Sequence, residues 1–307
     1  MTQPIESKLE QSTPVTASSS ALTIKPGSAH EDYETTHRTY DLTRLPIGAA
    51  EIVAQLKQLG ALPELSILDA GCGTGLYIHA LSQAGVGKLY GIDAAHEGIR
   101  QTALKMGDAA NTTLTVGDIR SIPVPDASFD AALYNFVLHH LGSATESETS
   151  LLPVFTEAHR VINVSGFVII GTCSQEQLSI DLGCAWYAPY FPEAAKALAA
   201  RFTPIEQIQE LLKRAGFSEV GLVYPQQCCY TKHSLDPLGP FEADWRAGDS
   251  LFAYYQDKPE LLAQNLARLQ EAIDSGAVLE QINATKTRAE KTRQVIFVIG
   301  RKSPSNR

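Results

Sequence analysis

The sequence predicts an α/β protein in which a seven-stranded, mostly parallel sheet carries helices on both faces. Three observations predict it. From residue 50 onward, short apolar runs alternate with segments whose apolar residues recur at three and four spacing. One of those runs leads directly into a glycine-rich loop followed by a helical segment. Acidic residues stand at or just past the ends of three successive runs, where open α/β sheets collect their ligands.

In chain order, residues 1–30 come first. They are about half Ser, Thr, Pro and Gln and offer no periodic apolar face, so they are expected to be a disordered tail. Strands are predicted at Ser66–Ala70, Leu89–Asp93, Leu114–Val116, Asp130–Asn135, Phe167–Gly171, Val220–Tyr224 and Val295–Gly300. A helix over Ala49–Leu59 places Ile52, Val53, Leu56 and Leu59 on one face, and one over Ile205–Ala215 does the same with Ile208, Leu211 and Leu212. Gly60 and Gly216 stand where C-caps of those helices would be. Between the last two strands lie 69 residues, Pro225 to Arg293, in which Leu261–Ile273 reads as an amphipathic helix. The expected organisation is one domain over residues 31–307, with 225–293 as a folded insertion.

Composition narrows the classes of partner. The 307 residues are 44% hydrophobic, enough for a sizeable core, and 25 basic against 34 acidic residues give a net charge of −9. A chain of that charge lacks the basic footprint of a nucleic-acid or anionic-membrane binder. Small molecules or proteins are the expected partners. Five cysteines in a chain of this length do not make a disulfide framework, and no apolar run approaches the roughly 18 residues that cross a bilayer. The expected compartment is the cytoplasm.

The strongest chemical signal is Ile67-Leu68-Asp69-Ala70-Gly71-Cys72-Gly73-Thr74-Gly75, followed by a helix starting near Leu76. Glycines at alternate positions let a ligand lie against bare backbone, beside the free N–H groups of a helix N-terminus. The spacing is G-x-G-x-G rather than the G-x-G-x-x-G of a dinucleotide site. Asp69 would repel a pyrophosphate and suits an ammonium group instead. Asp93 closes the next strand, 18 residues beyond Gly75, where a carboxylate can take both hydroxyls of a ribose. Asp118 follows the third strand, where it can accept from an exocyclic amine while Ile119 packs on a purine face. A cation, a ribose and an adenine together describe S-adenosylmethionine.

With these residues the sequence resembles the class I, Rossmann-like S-adenosylmethionine-dependent methyltransferases, in the small-molecule group that includes the quinone-biosynthesis enzymes. The resemblance covers roughly Tyr40 to Tyr224 and the last strand. It also rests on Gly91-Ile92-Asp93, Gly117-Asp118-Ile119, Asn135-Phe136-Val137-Leu138-His139-His140, Glu157 through Ile162, and Ala215-Gly216-Phe217. Asn163-Val164-Ser165-Gly166 departs from the family's usual Pro-Gly turn. The resemblance implies a sheet in the order 3-2-1-4-5-7-6 with strand 7 antiparallel. It assigns Gly71 and Gly73 to the methionine moiety, Asp93 to the ribose, Asp118 and Ile119 to the adenine, and Asn135 to the floor beneath the sulfur, with Ala94 also bordering the cofactor. An N-terminal helix over Tyr33–Arg44 is expected to fold over the cofactor, with Tyr40 and Arg44 on one face and Arg44 able to pair with the methionine carboxylate; the alternative is a surface helix.

Methyl transfer from a sulfonium is a direct displacement, so alignment in a dry pocket is the main requirement and a base is needed only for a protic acceptor. His139 and His140 are the best-placed imidazoles, though both also suit local packing; His159 is read as structural. The acceptor is expected to meet residues 173–192 and the insertion, whose aromatics (Trp186, Tyr187, Tyr230, Trp245, Phe252 and Tyr255 among them) would either cover an apolar or aromatic substrate as a lid or form a core of their own. Two alternatives remain. Cys173, Cys184 and Cys228 could serve a soft acceptor such as trivalent arsenic, and the chain could bind S-adenosylmethionine without transferring methyl, as a regulator or a cyclase-like protein. No metal site is expected.

Overall fold

The computed structural model describes Asp41 and residues 44–142, 144–226 and 230–304. The tail over 1–30, Tyr40 and the rest of the helix expected over 33–44 (apart from Asp41 and Arg44), and Cys228 lie outside the described residues. All seven predicted strands are present: β1 Ser66–Ala70, β2 Lys88–Asp93, β3 Thr112–Val116, β4 Phe129–Asn135, β5 Ile162–Thr172, β6 Ser218–Val223 and β7 Ile296–Arg301. They form one sheet in the order β3-β2-β1-β4-β5-β7-β6. The pairs from β3 through β5 are parallel, and β7 runs antiparallel to both β5 and β6.

Strand pleating sends alternate residues to opposite faces, and two cores follow from it. On one face Leu68, Ala132, Tyr134, Val168 and Val298 pack against α4 (Ser147–Val161) and α6 (Ile205–Arg214). On the other, Ile67, Leu133, Ile169 and Phe297 pack against α1 (Ala49–Leu56), α2 (Leu76–Gln83) and α3 (His96–Met106). A third apolar cluster stands apart from the sheet. It joins Trp186, Phe191 and α5 (Pro192–Ala199) to Trp245 in α7 (Ala243–Ala247), Phe252, Leu269 in α8 (Pro259–Asp274) and Ile282 in α9 (Ala277–Thr292).

Two local expectations are corrected. Gly60 does not cap α1, which ends at Leu56. The chain tightens there, with Gln58 N–H donating to Gln55 and Leu59 N–H to Leu56, three residues back in each case. Gly216 does sit in the cap: its N–H donates to the Lys213 carbonyl and that of Phe217 to Leu212, the paired bonds of a Schellman motif. Asn163–Gly166 is absorbed into the start of β5 as a bulge, because the β4 register jumps from Phe129↔Ile162 to Ala131↔Phe167. Lys302 closes that corner with Nζ bonds to the carbonyls of His159 and Ile162 at 2.6 and 2.8 Å.

Candidate active site

At the carboxyl ends of β1, β2 and β4 a cavity of about 380 Å³ opens between the sheet and residues 173–202 and 230–251. Of the residues expected to hold cofactor, Arg44, Asp69, Gly71, Gly73, Asp93, Ala94, Asp118, Ile119 and Asn135 all border it, as do His139 and His140. Residues separated by up to 96 positions in sequence therefore meet in one space.

The loop after β1 is braced from two sides. Gly73 N–H donates to Asp93 Oδ2 at 2.8 Å, and Thr102 Oγ1 donates to the Gly73 carbonyl at 2.8 Å. Asp93 Oδ1 takes the Ala95 N–H at 2.8 Å. Gly71 has φ 76°, and a Cβ there would stand 2.4 Å from Val137 Cγ2, so both the turn and the approach of the next loop need glycine. From the N-terminal side Asp41 reaches in, accepting from Thr74 Oγ1 at 2.5 Å and pairing with Lys105 at 2.6 Å.

Asp69 is 2% exposed, and its Oδ2 finds no partner among the described residues. Burial, then the charge of Asp93, pushes its carboxyl up to about 7. Asn135 is likewise buried with both amide atoms unpartnered among the described residues, and it can sit so close to β5 because residue 171 is glycine: a Cβ there would meet Asn135 Oδ1 at 2.3 Å. Buried polar atoms left without partners cost free energy unless a ligand supplies them. A desolvated acid asks for a cation, and a carboxamide offers both a donor and an acceptor. The donor set suits S-adenosylmethionine: Asp69 and the glycine loop for its aminocarboxypropyl arm, Asp93 for the ribose, Ile119 for the purine face.

Asp118 is less simply placed. Burial raises its carboxyl, but the Arg120 hydrogen bonds and charge outweigh that and hold it below the ordinary carboxylate range. The Arg120 guanidinium grips both Asp118 oxygens, at 2.6 to 3.0 Å, so an adenine amine would share that carboxylate with an arginine.

His139 is buried and stacks on Phe202 with centroids 4.2 Å apart and planes 13° from parallel; His140 lies 3.8 Å from it, centroid to centroid. His159 packs edge-on to Phe217 and is not among the residues that line the cavity. The Cys173 and Cys184 thiols donate to the carbonyls of Gln294 and Arg293 at 3.3 and 3.0 Å, and burial pushes Cys173 up to about 12. Held as protonated donors, they are poor ligands for a soft metalloid. No cluster of three or more potential ligands is found among the described residues.

Sequence reasoning did not single out Asp249 or Gln177. Asp249 takes the Tyr187 hydroxyl bond in the cavity wall, and buried Gln177 ties residues 174–177 to the Thr292 carbonyl at 3.0 Å. Neither stands in a recognisable motif, and only tertiary packing brings them to the site.

Residues 68–170 match the family model described as a methyltransferase domain. With the strand order β3-β2-β1-β4-β5-β7-β6, the chain has the Rossmann-like methyltransferase fold. Among curated relatives, an uncharacterised 37.1 kDa protein in transposon TN4556 of Streptomyces fradiae is 30% identical over 128 residues, 41% of this chain and 35% of that protein. The demethylmenaquinone methyltransferase of Staphylococcus aureus (strain MRSA252) is 27% identical over 168 residues, 54% of this chain and 66% of that enzyme. The chain thus matches about a third and just under two thirds of these relatives' lengths. Among solved structures, a candidate methyltransferase from an antibiotic biosynthesis pathway of Anabaena variabilis ATCC 29413 superposes with a TM-score of 0.63 at 22% identity, covering 84% of this chain and 98% of that one. Phosphoethanolamine N-methyltransferase 2 of Haemonchus contortus, in complex with S-adenosyl-L-methionine, gives 0.52 at 16% identity over 88% and 57%. These likenesses establish the methyltransferase fold. No helix among the described residues is long and apolar enough to cross a membrane.

Proposed function

We propose that this protein transfers the methyl group of S-adenosylmethionine to an O, N or C atom of a small, apolar or aromatic acceptor. The observation that carries the reading is the pair of buried groups without partners among the described residues, Asp69 Oδ2 and the Asn135 amide, beside the glycine loop. The relative that methylates demethylmenaquinone and the fold neighbour that methylates phosphoethanolamine support a small-molecule acceptor.

Bound S-adenosylmethionine supplies an activated methyl on a positively charged sulfur. Asp69 and the Gly71 and Gly73 backbone hold the amino-acid arm, Asp93 takes the ribose hydroxyls with Ala94 beside it, Asp118 and Ile119 hold the adenine, and Asn135 forms the floor under the reacting centre. Tyr40 and Arg44 are assigned to the cofactor, and Asp41 accepts a hydrogen bond from Thr74 Oγ1. Residues 225–293, together with 173–202, close the acceptor side and exclude water, which keeps the displacement from being diverted. His139 and His140 are the imidazoles nearest to taking a proton from a protic acceptor. We place the enzyme in the cytoplasm, acting within a single domain over 31–307.

The test has two parts. Incubating the protein and S-adenosylmethionine with a cell extract should yield a metabolite heavier by one CH2 group, together with S-adenosylhomocysteine; cofactor binding without either product would favour a non-transferring role. Asp93→Ala should weaken cofactor binding by about 1–3 kcal/mol through loss of charge-assisted hydrogen bonds. Unchanged affinity by calorimetry would overturn the ribose assignment.

A further inference from the structure

The wall that residues 173–251 turn to the cavity has a one-sided hydrogen-bond inventory. The Trp186 indole donates to the Ser234 carbonyl and the Trp245 indole to that of His233, each at 2.8 Å. The Tyr230 hydroxyl donates to the Cys184 carbonyl at 3.0 Å, and the two thiols, Cys173 and Cys184, donate to main-chain carbonyls as described above. The Tyr187 hydroxyl donates to Asp249 Oδ2. Each of these protons is spent on protein, so these side chains offer a ligand ring surface and oxygen lone pairs.

Asp249 is the charged member of this wall. Its Oδ1 accepts from the Leu251 N–H at 2.9 Å and its Oδ2 from Tyr187. A carboxylate has about four lone-pair sites, so capacity remains for a ligand's donor. Burial, with the charge and hydrogen bond of Asp249, holds the Tyr187 phenol well above its ordinary range, so it stays a neutral donor to Asp249. Tyr187 is itself fixed edge-on against Trp186 and Trp245, at 5.4 and 5.3 Å between centroids, which locks the carboxylate's orientation.

We propose that the Tyr187–Asp249 pair selects the methyl acceptor: an aromatic molecule bearing a hydroxyl or amino donor, whose N–H or O–H the Asp249 carboxylate accepts within this aromatic wall. The inference rests on the reading that this cavity takes a methyl acceptor. Arg44 also borders the cavity, and its charge reaches Tyr187 and Cys173. An anionic acceptor drawn by Arg44 is therefore the competing outcome.

The chain has two tryptophans, Trp186 and Trp245, and both border the cavity, so tryptophan emission reports its occupation. Three probes of one shape serve: 2-naphthol with a donor, 2-methoxynaphthalene without one, and 2-naphthoate as the anion. The full chain, with and without S-adenosylhomocysteine, should bind 2-naphthol at least about tenfold more tightly than either of the others, the ratio expected of one hydrogen bond to a charged group. In Asp249→Asn that preference should fall to within about threefold. Tyr187→Phe, smaller by one oxygen, should reduce it part-way and carries the test if Asp249→Asn does not fold. A preference that survives in both variants, a wild-type preference for 2-naphthoate, or no emission change with any probe overturns the proposal. Calorimetry of S-adenosylhomocysteine on the same samples judges the methyl-transfer reading separately: wild-type protein that fails to bind it sinks that reading, while the probe ratios measured without cofactor still decide the role of Asp249.

Discussion

At the scale of single residues, the cavity is held in an unfavourable state that a cation would relieve. Asp69 ionises near 3.8 in an exposed setting and near 7 when folded, with burial the larger cause and the Asp93 charge the second. The folded chain therefore binds more protons than the unfolded one between those values, and stability falls as pH rises through that window. Below about pH 4 the penalty is absent. Above about pH 7 it is complete, on the order of 4 kcal/mol for the cofactor-free protein. Asp69→Asn keeps the shape and removes the charge, so the variant should melt at a higher temperature than wild type at pH 8 and show no such gain near pH 4, while binding S-adenosylmethionine more weakly. Thermal unfolding of both proteins across pH checks this; parallel curves would show that Asp69 is not strained. The Asp69-to-glycine spacing was legible because strand, loop and helix are adjacent in sequence, whereas the orphaned state of Asn135 was not, since it depends on the close passage of Gly171 on the neighbouring strand.

At the scale of elements, periodicity located the strands best at β1, β4, β5 and β7, which are buried on both faces and carry long apolar runs, whereas the edge strands β3 and β6 bury none of their residues. The boundaries moved where pairing rather than composition sets them, as at the start of β5, where Asn163–Gly166 is drawn into the bulge opposite β4. Helix α4 carries a local conflict that packing overrides. Pro153 sits in its interior, exposed, where it cannot donate to the Thr149 carbonyl four residues back. The helix persists because Leu151, Val154, Phe155, Ala158 and Val161 are all buried against the sheet. Pro153→Ala should stabilise the protein by about 1–3 kcal/mol. A denaturant midpoint equal to or below that of wild type would mean that the proline's ring contacts outweigh the restored hydrogen bond.

At the scale of the whole molecule, the two sheet-facing cores support the strand-end side of the cavity and the third core builds the opposite wall. Phe191 is fully buried in that third core, edge-on to Phe252 with centroids 4.9 Å apart. Phe191→Ala should cost about 3–5 kcal/mol locally. Because that core lies apart from the sheet, the expected outcome is faster hydrogen exchange across residues 245–282, with S-adenosylmethionine affinity kept within about twofold. Equal loss of protection in β1 and β4 would show instead that the cores unfold as one unit.

The amino-acid sequence by itself determined the alternation of strands and helices, the glycine loop and the acids at successive strand ends, because each depends on residues close together in the chain and on apolar periodicity. It also singled out the aromatic segments over 173–192 and 225–293 while leaving open whether they cover a ligand or fill a core. In the tertiary structure Trp186, Trp245 and Phe252 pack together as a core, and the first two also border the cavity. Only the fold could set Asp249 beside Tyr187, 62 positions away, or leave Asp69 Oδ2 and the Asn135 amide buried without partners among the described residues. Desolvation and hydrogen-bond satisfaction depend on what surrounds a group in space, and sequence distance carries no record of that.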